Sequence, residues 1–318
     1  MKNILILQPV DQRHKDLLEA AAPGCRFVYR NYQNVTEEEV REANVIFGNP
    51  APAMIGASAN LELLQLESAG ADPYMPKGVL DEKTVVTNAT GAYSQSVAEH
   101  AFAMTLALQK NLHLYRDNQR NALWQDRGPV VSMSNATVVV VGMGDIGGYY
   151  ARMCKALGAY VIGVRRRPAP CPDYADEVGL QADLLKILPR ADVVLSVLPG
   201  TPATTHIYTD ECFDVMKPTA IFLNNGRGSA VASDVIYRAV TEHKIAAAAI
   251  DVTEQEPLPA DSPLWGVENL FITPHVSGGL HLAETFERIV AIGAHNLKAW
   301  HEGTEYKNVV DFATGYKK

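Results

Sequence analysis

Residues Asn135 to Gly147 read NATVVVVGMGDIG, a β-branched run from Thr137 to Val141 that ends in a Gly-x-Gly-x-x-Gly turn. The run has neither a helical nor an alternating period, so it predicts a strand buried on both faces, as in a parallel sheet. Glycines at 142, 144 and 147 allow a tight turn, close backbone approach to a pyrophosphate, and close packing of the next helix. Tyr149 to Leu157 continues as that helix, with Ala151, Cys154 and Leu157 at apolar spacing. Its N-terminus offers free N–H groups to an anion. Strand, turn and helix together predict a dinucleotide site, in which Met143, Asp145 and Ile146 fill the places between the glycines.

Beyond the turn the alternation is regular. Strands are expected at Tyr160 to Val164, Asp192 to Val197, Ala220 to Leu223, Ala246 to Asp251 and Leu270 to Thr273. Helices fit between them, the clearest being Ser233 to Glu242, with Ser233 as N-cap. This series predicts a doubly wound α/β domain whose ligand lies beyond the carboxyl ends of its strands. Upstream, Asn3 to Leu7, Asn44 to Phe47 and Leu61 to Leu66 read as strands. Helical pieces near Asp16 to Ala21 and Glu37 to Ala43 separate them, which predicts a smaller α/β unit without a glycine motif.

Ser94 to His113 predicts a helix with Ser96 as cap and Glu99 in the capping-box place. At roughly 27 Å it is long enough to link two domains. Tyr115 to Pro129 is polar with one tryptophan, Trp124, and reads either as a solvated loop or as an arm packing on another subunit. The final helical stretch, Leu280 to His301, is expected to return to the first unit. The expected domains are thus 1–95 with 285–318 for substrate and 96–284 for dinucleotide, with a cleft between two Rossmann-like or flavodoxin-like folds.

Bulk properties agree with two soluble domains. The chain has 318 residues, 47% hydrophobic and 20% charged. A net charge of −8 argues against nucleic acid and anionic membranes as partners. No apolar run approaches the roughly 20 residues of a membrane span. The start, MKNILILQPV, reads as a first strand rather than a leader because Asp11 to Lys15 is highly charged, so a cytoplasmic protein is expected. Cys25, Cys154, Cys171 and Cys212 show no metal-binding spacing and predict reduced, mostly buried thiols and no metal.

The cofactor is read from the tip of the second strand. An NAD site normally has a carboxylate there for the ribose 2′-hydroxyl. Here VIGV ends in Arg165, Arg166 and Arg167. Guanidinium groups suit a 2′-phosphate, so NADP(H) is expected to be preferred, with NAD(H) possible; a solvated basic turn is the plain alternative.

Three further residues follow strand ends: Arg227 in NNGRGS, Glu256 in DVTEQEP and His275 in TPHVSG. Singly each has an ordinary explanation as a surface or loop residue. Together, on the ligand side of one sheet, they form a candidate catalytic set.

With these stretches in place, the chain resembles the D-isomer-specific 2-hydroxyacid dehydrogenase family. The resemblance is carried by VAEHAFAMTLAL (97–108), VGMGDIG (141–147), LPGTPATTH (198–206), NNGRGSAV (224–231), DVTEQEPLP (251–259) and TPHVSGG (273–279). It implies reduction of a small 2-oxo acid to the D-2-hydroxy acid, a cofactor in the interdomain cleft, and commonly a homodimer. It further implies that Arg227 holds the substrate, that His275 gives a proton to the carbonyl oxygen, and that Glu256 pairs with His275 and favours its protonated form. The other histidines lack this pairing context in the sequence.

By family position, the N–H groups of Ala69 and Gly70 receive the substrate carboxylate, and Asp251 and Gly278 lie near the nicotinamide. Leu198, Pro199, Thr204, Asn225 and Gly226 complete the implied cofactor contacts. Tyr93, in GAYS, either borders the substrate pocket or is a packed aromatic. A chain ending at Lys318 is not expected to carry the appended regulatory domain of longer relatives. Two other readings share the scaffold: a cofactor-sensing, corepressor-like binding protein, and a formate- or phosphite-type dehydrogenase.

Overall fold

The computed structural model describes residues 1–312 and the backbone of residues 316 and 317. The chain forms two compact units, residues 1–93 with 280–318 and residues 94–279. In the first, five parallel strands, β1 (Asn3–Ile6), β2 (Arg26–Tyr29), β3 (Val45–Phe47), β4 (Leu63–Gln65) and β5 (Val85–Thr87), lie in the order β2-β1-β3-β4-β5. This is the flavodoxin-like order, with its switch point between β1 and β3.

In the second unit, seven parallel strands follow: β6 (Thr137–Val141), β7 (Tyr160–Arg165), β8 (Glu177–Leu180), β9 (Val193–Ser196), β10 (Ile221–Asn224), β11 (Ala247–Ile250) and β12 (Leu270–Ile272). Their order is β12-β11-β10-β9-β6-β7-β8. It is a doubly wound Rossmann order extended by one strand, and the crevice opens between β6 and β9. The expected α/β class with two parallel sheets is what the chain adopts.

Each sheet is covered on both faces. In the second unit Val139, Val141, Ile162 and Phe222 face one core, and Val138, Val140, Val161 and Leu195 face the other, which explains the unbroken β-branched runs. In the first, Leu5, Ile46 and Leu64 face one side and Ile4, Ile6, Phe47 and Leu63 the opposite one. The last helix, Ala283–Glu302, supplies Ile289, Ala294 and Leu297 to that second face. A Cβ on its Gly293 would stand 2.4 Å from the Phe47 ring, so glycine is what lets helix and sheet close.

Several expectations are corrected. Strands β2, β5 and β8 have no signal in the sequence reading, because RFVY and EVGL are half-exposed edge strands and VVT has only three residues. The connecting helix stops at Gln109; Asn111 turns left-handed (φ 56°), and a second helix, Leu112–Arg120, occupies part of the stretch expected to be loop. Ser96 is inside the first of these helices, not its cap, and donates to the Ser277 carbonyl at 2.8 Å. Glu99 accepts from Gln95 instead of closing a capping box. Ser233 is the first helical residue after an Ala232 cap, and its N–H is taken by the Glu254 carboxylate at 3.0 Å. Of the cysteines only Cys154 and Cys212 are buried; Cys171 is exposed.

Candidate active site

The glycine turn follows β6 at the switch point, and its three glycines meet three different surroundings. Gly142 adopts φ +105°, and a Cβ there would lie 2.7 Å from the Val197 carbonyl oxygen. A Cβ on Gly147 would lie 2.4 Å from the Gly142 oxygen. Gly144, at the N-cap of the helix Asp145–Ala156, faces open space, with nothing within 4 Å of a built Cβ. The outer glycines therefore serve packing, while the middle one leaves a cradle in front of the first-turn N–H groups. Those groups have no partner within the helix and suit an anionic pyrophosphate. Met143 is buried over Gly163, so its side chain belongs to the core and only its backbone faces the turn. Asp145 is exposed and Ile146 half-buried at the helix start.

At the next strand tip Arg165 ends β7, paired with Leu180 of β8, and Arg166 and Arg167 are exposed. The Nε of Arg165 is buried without a hydrogen-bond acceptor. An unpaired donor beside two exposed guanidinium groups fits a phosphate ester on the ribose. Cradle and orphaned donor together fit a dinucleotide.

Arg227 is held by the glycines around it. A Cβ on Gly226 would fall 2.5 Å from the Leu198 oxygen, and one on Gly228 would overlap the Thr253 carbonyl. The turns after β9, β10 and β11 are thereby pressed together. Asn224 closes the arginine turn, its amide donating to the Arg227 carbonyl at 3.0 Å and its oxygen accepting from the Gly226 N–H at 3.2 Å. The half-buried guanidinium donates to the Gly226 carbonyl at 3.0 Å. Leu198 is buried, and Pro199 follows it in a loop where Thr204 spends its hydroxyl on the Pro199 carbonyl. Asn225 is buried, with an Oδ1 that has no donor.

His275 and Glu256 meet. Nδ1 of His275 lies 2.7 Å from Oε2 of Glu256, and the other carboxylate oxygen takes the Thr253 N–H at 3.1 Å. A carboxylate can only accept, so Nδ1 carries the hydrogen and Nε2 faces away from the pair. Both side chains are partly exposed, at 48% and 38%.

Beneath them is a residue whose weight the sequence did not reveal. Asp251, 1% exposed, accepts from Thr273 Oγ1 at 2.6 Å, from the N–H groups of Val276 (3.0 Å) and Ser277 (3.1 Å), and from the Ser277 hydroxyl. Burial pushes its carboxyl up, but these hydrogen bonds, Ser277 first, outweigh that and hold it below the usual carboxylate range. The loop Thr273–Ser277 is wound around one buried charge. His100 reaches the same network, its Nε2 3.0 Å from Thr273 Oγ1. Gly278 follows, half-buried.

The expectation that only His275 has a carboxylate partner is corrected. His206 Nε2 lies 2.9 Å from Glu254 Oε1, so the two glutamates of DVTEQEP go to two different histidines. The Ser233 N–H, then the His206 ring, hold the Glu254 carboxyl below its ordinary range. His14 is buried between Asp11 and Glu287.

In the first unit the loop after β4 carries Ala69 and Gly70. Their carbonyls are tied, to Asn88 Nδ2 at 2.8 Å and to Ser68 Oγ at 2.6 Å, while among the described residues neither N–H donates a hydrogen bond. Tyr93 donates its hydroxyl to the Glu67 carbonyl at 2.7 Å, which makes it a support of this loop. Among the described residues no group of histidines, cysteines or carboxylates is placed to hold a metal ion, and no helix is long and apolar enough to cross a membrane.

A nucleotide turn and a proton-bearing pair at one end of one sheet belong together in enzymes that move hydride, and this chain is of that class, a nicotinamide-dependent oxidoreductase. Residues 102–277 match the family model described as D-isomer specific 2-hydroxyacid dehydrogenase, NAD binding domain. The chain belongs to the D-isomer specific 2-hydroxyacid dehydrogenase family. It is 31% identical to the glyoxylate reductase of Korarchaeum cryptofilum over 80% of this chain and 77% of that one. The structure of a D-isomer specific 2-hydroxyacid dehydrogenase family protein from Aeromonas salmonicida superposes with a TM-score of 0.85 at 34% identity, covering 98% of this chain and 99% of that one. The enzyme of this family from Xanthobacter autotrophicus Py2, in complex with NADPH and MES, superposes with a TM-score of 0.83 at 26% identity, covering 99% of each chain.

Proposed function

We propose that this protein reduces a small 2-oxo acid to the D-2-hydroxy acid, with NADPH as the preferred donor, in the cytoplasm. The observation that carries the reading is the 2.7 Å contact of His275 Nδ1 with Glu256, at the same sheet end as the glycine turn. When bound, the reduced nicotinamide supplies the hydride. The remaining work falls to side chains of this chain. Gly142 to Gly147 hold the pyrophosphate, and Arg165 and Arg166 take the 2′-phosphate. Arg227 binds the 2-oxo acid through carboxylate and carbonyl, and the N–H groups of Ala69 and Gly70 receive the carboxylate. His275 delivers a proton from Nε2 to the carbonyl oxygen as it gains negative charge, and Glu256 stabilises the imidazolium needed for that step. Leu198, Pro199, Asn225, Gly226 and Gly278 shape the cofactor bed, and Thr204 and Asp251 fix its loops.

Two similarities support this reading: the glyoxylate reductase of Korarchaeum acts on a 2-oxo acid, and the Xanthobacter enzyme holds NADPH. The test is NADPH oxidation with glyoxylate, hydroxypyruvate and longer 2-oxo acids, repeated with NADH. Turnover with a higher kcat/KM for NADPH is expected. No turnover with any 2-oxo acid removes the reading, and a higher value for NADH removes its cofactor half.

The partner is a second copy of the chain. Trp124 is wholly exposed beside Leu123 at 53%, and Val130 and Val131, beyond a polar turn, follow at about half exposure; exposed aromatic and aliphatic side chains of this kind anchor interfaces. Sedimentation velocity is expected to give twice the 34.6 kDa chain mass, and a monomer at micromolar concentration would contradict it.

A further inference from the structure

At the carboxyl end of the five-stranded sheet, three segments close around Glu67, two of them on its carboxylate. Gln8, just past β1, donates its amide to Glu67 Oε2. Tyr32, past β2, donates its hydroxyl to Glu67 Oε1 at 2.9 Å. Asn49, past β3, gives its N–H to the Tyr32 oxygen at 2.9 Å, and its side-chain oxygen accepts the Glu67 N–H at 3.0 Å. Gly48 makes the approach feasible, because a Cβ there would stand 2.7 Å from Leu7 Cβ and 3.0 Å from the Tyr32 hydroxyl. Gln8 and Asn49 flank the β1–β3 switch point, the place where α/β sheets of this order take ligands.

Two features separate this cluster from hydrogen bonds among exposed side chains. Among the described residues both donors to the Glu67 side chain are neutral, so a half-buried carboxylate is oriented but carries no cation. Gln8, 3% exposed, must turn its amide nitrogen toward that carboxylate, which leaves its own Oε1 buried without a donor. A buried acceptor left unpaired is costly, and such costs persist where the group they support is used. Glu67 directly precedes the Ser68-Ala69-Gly70 loop, in which the N–H groups of Ala69 and Gly70 donate no hydrogen bond among the described residues.

We propose that Glu67 selects the substrate's side chain: it favours 2-oxo acids bearing a hydrogen-bond donor, a cationic end group above all, and rejects those with a second carboxylate. This rests on the reading of the protein as a 2-oxo acid reductase. The carboxylate keeps lone pairs beyond those used by Gln8 and Tyr32, so a guanidinium or hydroxyl gains a charge-assisted hydrogen bond there. A second carboxylate meets like charge without screening by a neighbouring cation.

The test is kcat/KM with NADPH for matched pairs: hydroxypyruvate against pyruvate, and 2-oxo-5-guanidinopentanoate against 2-oxohexanoate, with 2-oxoadipate as the acidic member. At the chain length the pocket accepts, the donor-bearing acid is expected to be used about tenfold better than its alkyl partner, the size of one hydrogen bond to a charged group. In Glu67→Gln that ratio is expected to fall to about threefold or less, and use of 2-oxoadipate to rise about tenfold. Tyr32→Phe, which loosens the carboxylate without removing it, is expected to lower the same ratio, and NADPH binding followed by fluorescence reports that each variant is folded. Equal use of donor and alkyl partners, or ratios untouched by Glu67→Gln, overturns the assignment of Glu67 alone. No reduction of any 2-oxo acid overturns the underlying reading instead.

Discussion

The backbone N–H of His275 donates to the carbonyl oxygen of Asp251 across 2.7 Å, while the Asp251 carboxylate gathers the next two N–H groups of the same loop. His275 sits at φ 52°, in the left-handed region that few residues other than glycine enter and that histidine, like asparagine and aspartate, enters more readily than most. One buried charge therefore sets the backbone that aims the imidazole.

Asp251→Asn is expected to lower stability at neutral pH by about 1–3 kcal/mol, because an amide NH₂ then faces donors that need acceptors. The pH dependence follows from the lowered carboxyl of Asp251. Its folded value lies below the unfolded one, so its contribution is complete above the unfolded pKa, about 3.9, and is lost as pH falls through the folded value. Thermal melts across the acid range should show wild type losing stability below about pH 4 more steeply than Asp251→Asn. Parallel curves for the two proteins would sink this account.

His275→Gln is expected to cut kcat for 2-oxo acid reduction by about 10² to 10⁴ and leave NADPH binding intact. Glu256→Gln should also lower kcat, since it removes the carboxylate that holds the ring by its Nδ1. Steady-state rates beside a fluorescence titration of NADPH separate the two effects. Retention of most of the turnover in His275→Gln would rule out its role as proton donor.

The glycine turn offers a matched pair. Gly147→Ala places a methyl 2.4 Å from the Gly142 oxygen and is expected to destabilise by about 1–3 kcal/mol through overpacking. Gly144→Ala meets nothing within 4 Å and should melt close to wild type, yet weaken NADPH binding by filling the cradle. Urea unfolding and a cofactor titration measure both, and unchanged affinity in Gly144→Ala would place the pyrophosphate elsewhere.

Arg165→Ser and Arg166→Asp are expected to shift the ratio of kcat/KM for NADPH over NADH toward NADH by about ten- to a hundredfold each, the size of one hydrogen bond to a charged group. The orphaned Nε of Arg165 makes it the more sensitive of the two. An unchanged ratio in both variants would return the arginines to a plain solvated turn.

Much of the second unit was readable along the chain. TVVVV reads as a strand covered on both faces, and GMGDIG directly after it, with a helix following, reads as a turn where backbone packs on backbone. Strands β2, β5 and β8 escaped because edge position and short length leave no apolar run to read. The helix break at Asn111 was hidden because apolar spacing continues on both sides of one left-handed residue.

By itself the sequence determined the alternation of the central strands and helices, the glycine turn, the arginines at the second strand tip and the presence of Arg227, Glu256 and His275. These are local properties, set by side-chain shape and spacing over a few residues. Only the tertiary structure decided that Glu256 goes to His275 while Glu254, two residues earlier, goes to His206. It also decided that Asp251 winds the histidine loop and that Gln8, Tyr32 and Asn49 close on Glu67. Partner choice among like residues depends on which loops packing brings within 3 Å, and no spacing along the chain encodes that distance.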